Sequence, residues 1–246
     1  RLLAFRHPAW PQVAMCHRSD DGRLVLTAAR PTGVGLADHV AAVGPLPWPA
    51  AAALGRALAD AVAAAHDAAL VHGALRPDRV LLLPGGAVAV TDLGVAALLT
   101  AASARPVTPT APVFQLLFPD PMFVSPGPIA GEAPTPADDV RGIALVVVWA
   151  ATGALPYDPG TTLAVLNQVR RGLPQHVWLA HLGQAGAPRE LVSALVPVLV
   201  GGAEPSLASL AAAFAATAAP ALPASPLPPA PFRPRWPRVI SGGAEL

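Results

Sequence analysis

Short apolar runs separated by turn residues open the chain. Val13 to Cys16 and Leu24 to Ala28 flank the polar tetrad Ser19-Asp20-Asp21-Gly22, a spacing that predicts two strands joined as a hairpin. The period changes after Pro31-Thr32-Gly33. Leu36 to Val43 reads as a short helix, and Pro49 to Ala68 as a longer one rich in Ala and Leu, with Pro49 suited to a first helical turn. Val80 to Leu83 and Ala87 to Thr91 flank Pro84-Gly85-Gly86 and predict a second hairpin, with Asp92-Leu93-Gly94 directly behind it. From Ala101 to Pro128, prolines exclude a sustained helix and no alternation appears, so a long loop is expected. Helices are then predicted over Gly142 to Leu155, Thr161 to Arg171, Arg189 to Leu199 and Ser206 to Thr217. The first of these is an apolar run shorter than the roughly 20 residues that span a bilayer. Bracketed by Arg141 and Asp158, it reads as a buried core helix, and no membrane insertion is expected from this chain. After Pro220, prolines and the arginines Arg233, Arg235 and Arg238 predict an extended linker or tail.

Composition narrows the function classes. The 246 residues are 53% hydrophobic and 13% charged, enough apolar material for a packed core. A formal net charge of +1 gives no field to steer nucleic acid, which drops out as a partner class. The single cysteine, Cys16, excludes an internal disulfide and a Cys-based zinc site; a reducing, cytoplasmic location is expected, with Cys16 buried and inert on its strand. All 16 basic residues are arginine, so chemistry that needs a lysine amine is absent. His176 and His181, with His66 and His72 far off in sequence, have no thiol or carboxylate at helical spacing and read as surface or core histidines rather than a metal cluster.

One region carries a motif. The stretch Leu70-Val71-His72-Gly73-Ala74-Leu75-Arg76-Pro77-Asp78-Arg79-Val80, followed by Thr91-Asp92-Leu93-Gly94, resembles the catalytic loop and metal loop of bacterial Ser/Thr protein kinases, whose pattern is H-R-D-L-K-P-x-N and then D-F-G. Three further segments agree in order: Arg6-His7-Pro8, Phe123-Val124-Ser125-Pro126-Gly127, and Thr135 to Gly142 with Asp139. The resemblance covers residues 1 to 217. It implies an α+β, protein kinase-like fold, mainly the helical C-lobe with a few residual N-lobe strands. The expected division is an N-lobe remnant and hinge over residues 1–31, the C-lobe over 32–219, and the tail over 220–246.

The same resemblance shows what is missing. Phosphoryl transfer needs a carboxylate at the attacking hydroxyl, magnesium ligands, and cations on the phosphates. Ala74 stands where the family has its catalytic Asp, and Arg79 where the family has a metal-binding Asn. Arg76 replaces the loop lysine as a cation of different reach. Asp92 keeps the metal-loop carboxylate, and the resemblance makes it and Gly94 the remaining candidates for cofactor contact, with Asp92 alone for metal. Read without the resemblance, Asp92 closes a turn after a strand. Only five residues precede Arg6, so the Gly-rich loop, the lysine strand and the glutamate helix are not in this sequence. Asp120 stands at the threonine preceding the Ser125-Pro126-Gly127 element, and Gly127 stands at its glutamate. The family implies ATP and magnesium as cofactors; the replaced residues argue against both. His72, in the core, and Asp139, accepting backbone hydrogen bonds from the loop, are expected to be structural.

The resulting expectation is a degenerate kinase-like domain that acts as a protein-interaction or regulatory module. Two alternatives stay open: a fragment of an ATP-dependent Ser/Thr kinase whose small lobe lies upstream of Arg1, and a pseudokinase that senses nucleotide without turnover.

Overall fold

A computed structural model describes residues 1–20, 24–102, 109, 112–158, 160–201, 206–222 and 224–229. The chain opens with strands β1 (Val13–Arg18) and β2 (Leu24–Ala28), an antiparallel pair with a register shift between Val13 and Met15. Cys16 is half-buried on this ribbon, less enclosed than the sequence predicts, because a two-stranded sheet has an open face. The turn residues Asp21 and Gly22 lie outside the described residues.

A second sheet has the order β3-β4-β5, all antiparallel, from β3 (Val34–Gly35), β4 (Val80–Leu82) and β5 (Val88–Val90). The predicted hairpin is β4-β5. Two-residue β3 is too short to leave a periodic signal, yet it places α1 (Leu36–Val43) directly beside the hairpin.

The helical body follows the predicted pattern closely. Helix α2 (Trp48–Asp67) runs through the centre, with Pro49 in its first turn. Its Ala and Gly positions let other helices approach: a Cβ on Gly55 would lie 2.7 Å from the Phe214 ring. The segment expected to be a loop carries helix at its margins and within it: α3 (Val95–Ala102), α4 (Pro112–Leu117) and α5 (Pro126–Ile129). Proline at the first turn of α4 and α5 costs no hydrogen bond there, which a count of prolines overlooks.

Helix α6 (Pro136–Thr152) starts six residues earlier than its apolar run, because the Asp138 carboxylate accepts from the Thr135 amide and hydroxyl at 2.7 and 2.8 Å. Four helices complete the body: α7 (Thr162–Arg171), α8 (Gln175–Gln184), α9 (Arg189–Val200) and α10 (Leu207–Thr217). Helix α8 escapes the sequence reading because its apolar side is narrow; Trp178 and Leu182 alone are buried on it.

A main core joins most of these pieces, and a second, smaller cluster of Ala96, Phe114, Leu117, Phe118, Val124 and Leu166 draws α3, α4 and α7 together. Helix α2 packs against α6 and α10, and α9 against α6, α8 and α10. From Ile143 to Val148, α6 is wholly enclosed, as a core helix should be. Among the described residues no helix is long and apolar enough to cross a membrane. The class is mixed α and β with small sheets and a mainly helical body, as expected. Past α10 the chain does not leave the surface at once: Leu222 is buried, and the Ser225 hydroxyl lies 2.9 Å from His39 Nδ1 on α1.

Candidate functional site

The site is assembled where α2, the loop before β4, the turn after β5 and the start of α6 converge. Asp139, in the first turn of α6, is 1% exposed and organises the loop. Its Oδ2 accepts from the His72 amide at 2.9 Å and its Oδ1 from the Gly73 amide at 2.7 Å. His66, from the last turn of α2, places Nε2 2.9 Å from the same carboxylate. Three hydrogen bonds thus tie two helices to one loop, and two buried amides gain acceptors that water cannot supply.

His66 was not singled out from the sequence for this role. Histidine at the end of a helix has several uses, and its partner lies 73 positions away.

His72 is 1% exposed. Its Nε2 faces the Thr91 carbonyl at 2.8 Å and must donate, while Nδ1 receives the Ala74 amide at 3.2 Å. This pattern fixes a neutral ring protonated on Nε2. Burial holds its pKa below the ordinary 6.5, outweighing the raising influence of Asp139. Trp10 lies over the ring with centroids 5.8 Å apart, and its indole N–H donates to Ala61 O at 2.9 Å, so the N-terminal segment is pinned to α2.

The sign of the resulting pH dependence follows. The unfolded chain takes up a proton on His72 near pH 6.5 and the folded chain does not. Stability is therefore complete above 6.5 and is lost as pH falls toward the depressed folded-state value, by at most about 1.4 kcal/mol per pH unit. His39 and His181, also lowered by burial, act in the same direction. The melting temperature at pH 5 is expected below that at pH 7.5. His72→Phe should melt lower throughout, because Thr91 O and the Ala74 amide lose their partner, yet it should lose less on acidification.

Beyond His72 the loop faces a small cavity lined by His72, Ala74, Arg76, Arg79, Asp92, Val95, Ala96 and Leu117. Its volume is about 10 Å³, the space of a single water. The sequence-predicted residues Ala74, Arg76, Arg79 and Asp92 all meet here. Gly73 and Gly94 frame the cavity at φ 72 and 76 without lining it, and Asp139 lies behind the loop.

Inside the cavity the charges are already paired. Arg79 Nη1 contacts Asp92 Oδ2, and its Nε lies 3.9 Å from Asp78. Arg76, 4% exposed, donates from Nη1 to the Leu117 carbonyl at 2.5 Å, closing the C-terminal end of α4, and its Nε lies 2.6 Å from Asp78 Oδ1. Asp92 itself adopts φ 68, and its carbonyl receives the Val95 amide at 3.1 Å, so both readings of this residue have content: the backbone closes a turn while the carboxylate holds an arginine.

Magnesium does not fit this donor set. It needs near-octahedral oxygen coordination, with carboxylates neutralising its charge. The cavity supplies one carboxylate, and a guanidinium already lies against it. Among the described residues no group of three or more His, Cys, Asp or Glu is placed to hold a metal ion.

Two further positions complete the picture. Asp120 accepts the Met122 amide at 3.0 Å and caps a short turn. Gly127 is approached by the exposed Glu132, whose Oε2 would lie 2.9 Å from a Cβ there. A second buried cation besides Arg76 is Arg141, on α6, which the sequence reading passed over. It donates to the Leu199 and Val198 carbonyls at 2.6 and 3.4 Å and to the Tyr157 hydroxyl at 3.2 Å, so the C-terminal end of α9 stands in for a carboxylate. Burial raises the Tyr157 pKa, against the lowering influence of Arg141.

The small sheets and mainly helical body, with the loop pinned on Asp139, are consistent with a kinase-like fold. Its relatives are bacterial Ser/Thr protein kinases. Serine/threonine-protein kinase PknK of Mycobacterium tuberculosis is 29% identical over 152 residues, which is 62% of this chain and 13% of that protein. PkaA of Streptomyces coelicolor is 36% identical over 128 residues, 51% of this chain and 22% of that one. PknA of Mycobacterium tuberculosis is 34% identical over 101 residues, 41% and 22% respectively. The chain thus spans 13 to 22% of the length of these relatives. No protein-family profile matches it.

Proposed function

We propose that this kinase-like domain does not transfer phosphate and serves instead as a protein-interaction or regulatory module. The observation that carries the reading is Ala74. Its methyl group faces the cavity at the position where the resemblance calls for the catalytic carboxylate, and the nearest spare acid, Asp78, is engaged by Arg76 and does not line the cavity. A methyl group neither orients nor accepts the proton of an attacking hydroxyl.

The pairing of Asp92 with Arg79 supports the same reading, because a metal-bridged triphosphate would have to displace that arginine. Loss of chemistry leaves the parts that set shape: Asp139, His66 and His72 hold the loop, and Arg141 holds α9. Such a domain presents a fixed surface to a protein partner. The lone half-buried Cys16 suits a reducing, cytoplasmic setting.

The names of the relatives favour a second reading, in which this chain is part of an active, ATP-dependent Ser/Thr kinase. Nucleotide separates the readings. Binding to the folded state raises the melting temperature by mass action. The expected result is no concentration-dependent rise when ATP and magnesium are added to the full chain. A saturable rise would place a nucleotide-binding domain ahead of a purely scaffolding one.

A further inference from the structure

Arg79 has a role beyond the loss of a metal ligand. Its guanidinium contacts Asp92, its Nε lies 3.9 Å from Asp78 Oδ2, and its carbonyl receives the Thr91 amide at 2.9 Å and the Thr91 hydroxyl at 3.4 Å. The arginine thus bonds through backbone and side chain to adjacent residues of the turn after β5. Asp92 is held at a positive φ, where its carboxylate meets Arg79 directly at the wall of a cavity with space for one water.

We propose that Arg79 is the resident counterion of Asp92. It replaces a divalent cation with a covalently tethered one, so that the loop before β4 and the turn after β5 stay joined in the absence of metal. A metal-dependent site closes only when its ion is present, because a bare carboxylate repels neighbouring acids and attracts water. Here the neutralising charge arrives with the fold. The proposal extends the reading of the site given above, and its test is chosen so that the two fail separately.

Side-chain exposures of 28% for Arg79 and 34% for Asp92 make the pair modest and sensitive to salt. The experiment is a double-mutant cycle on the full chain: wild type, Arg79→Asn, Asp92→Asn and the double variant, melted in low-salt buffer with and without millimolar Mn²⁺. Asparagine tolerates positive φ, so Asp92→Asn removes charge without adding backbone strain.

Each single variant is expected to melt about 2–4 °C below wild type without metal, and the double variant no lower than the worse single one. Wild type should ignore Mn²⁺. Arg79→Asn should recover with Mn²⁺, and the recovery should vanish in the double variant. Additive single effects would overturn the proposal, as would an Asp92-dependent response of wild type to Mn²⁺, or no response of Arg79→Asn. A saturable rise in wild-type melting temperature with ATP and magnesium that persists in Asp92→Asn would count against the functional reading while leaving this cycle as it stands.

Discussion

Asp139→Ala is expected to lower the melting temperature by roughly 10 °C, because this α6 carboxylate holds the loop before β4. Truncation leaves the His72 and Gly73 amides buried without acceptors, at about 1–3 kcal/mol each, and also strips His66 of its partner. The sum is about 3–5 kcal/mol, and for a chain of this size each kcal/mol shifts melting by about 2–4 °C. Asp139→Asn keeps the shape but turns an NH₂ toward one of the donors, so an intermediate loss is expected. Thermal unfolding followed by circular dichroism measures both. A loss under about 0.5 kcal/mol for the alanine variant would mean that the loop is held by something other than this carboxylate.

The second large effect is at Gly73. Its φ of 72 lies in the left-handed region, where an L side chain costs about 1–3 kcal/mol. An added Cβ would also lie 2.4 Å from Pro134 Cβ, which cannot retreat, because the α6 start beyond it is fixed by the Thr135–Asp138 cap. Overpacking adds about 1–3 kcal/mol. Gly73→Ala is therefore expected to destabilise by roughly 3–5 kcal/mol, read as a fall in the urea midpoint at unchanged slope. If the variant unfolds at the wild-type midpoint, the tight approach of the loop to Pro134 does not exist in solution.

These two residues mark how far the sequence could be read. Helices α1, α2, α6, α7, α9 and α10 were legible from their apolar patterns and the turn residues that flank them. The loop was legible because His72, Gly73, Ala74, Arg76 and Arg79 occur in one ordered run with Asp92-Leu93-Gly94 behind it. Asp139 was expected to accept backbone hydrogen bonds, and it accepts two. What stayed hidden at the site depends on pairs far apart in sequence, whereas α8, β3 and the short proline-started helices were hidden for local reasons. His66 and Asp139, Trp10 and His72, and Arg141 and the end of α9 are joined by packing, and no spacing rule links them.

The pairing of Arg79 with Asp92 belongs between these cases. Both residues were marked from the sequence, one as a lost metal ligand and one as a retained carboxylate. That they neutralise each other follows from the antiparallel β4-β5 hairpin, which brings the residue before β4 next to the turn after β5. Helix α4, expected as loop, matters for the same reason: it delivers the Leu117 carbonyl that takes up Arg76. Arg76, the cation of different reach at the loop-lysine position, is thereby committed to the protein.

The central claim is that the scaffold of a kinase domain is kept while the groups that move phosphate are replaced. A phosphorylation assay tests it most directly: the full chain with labelled ATP, magnesium or manganese, and generic protein acceptors, alongside Asp92→Asn. The account predicts incorporation into protein no greater than in the Asp92→Asn control. Incorporation that depends on Asp92 would contradict it.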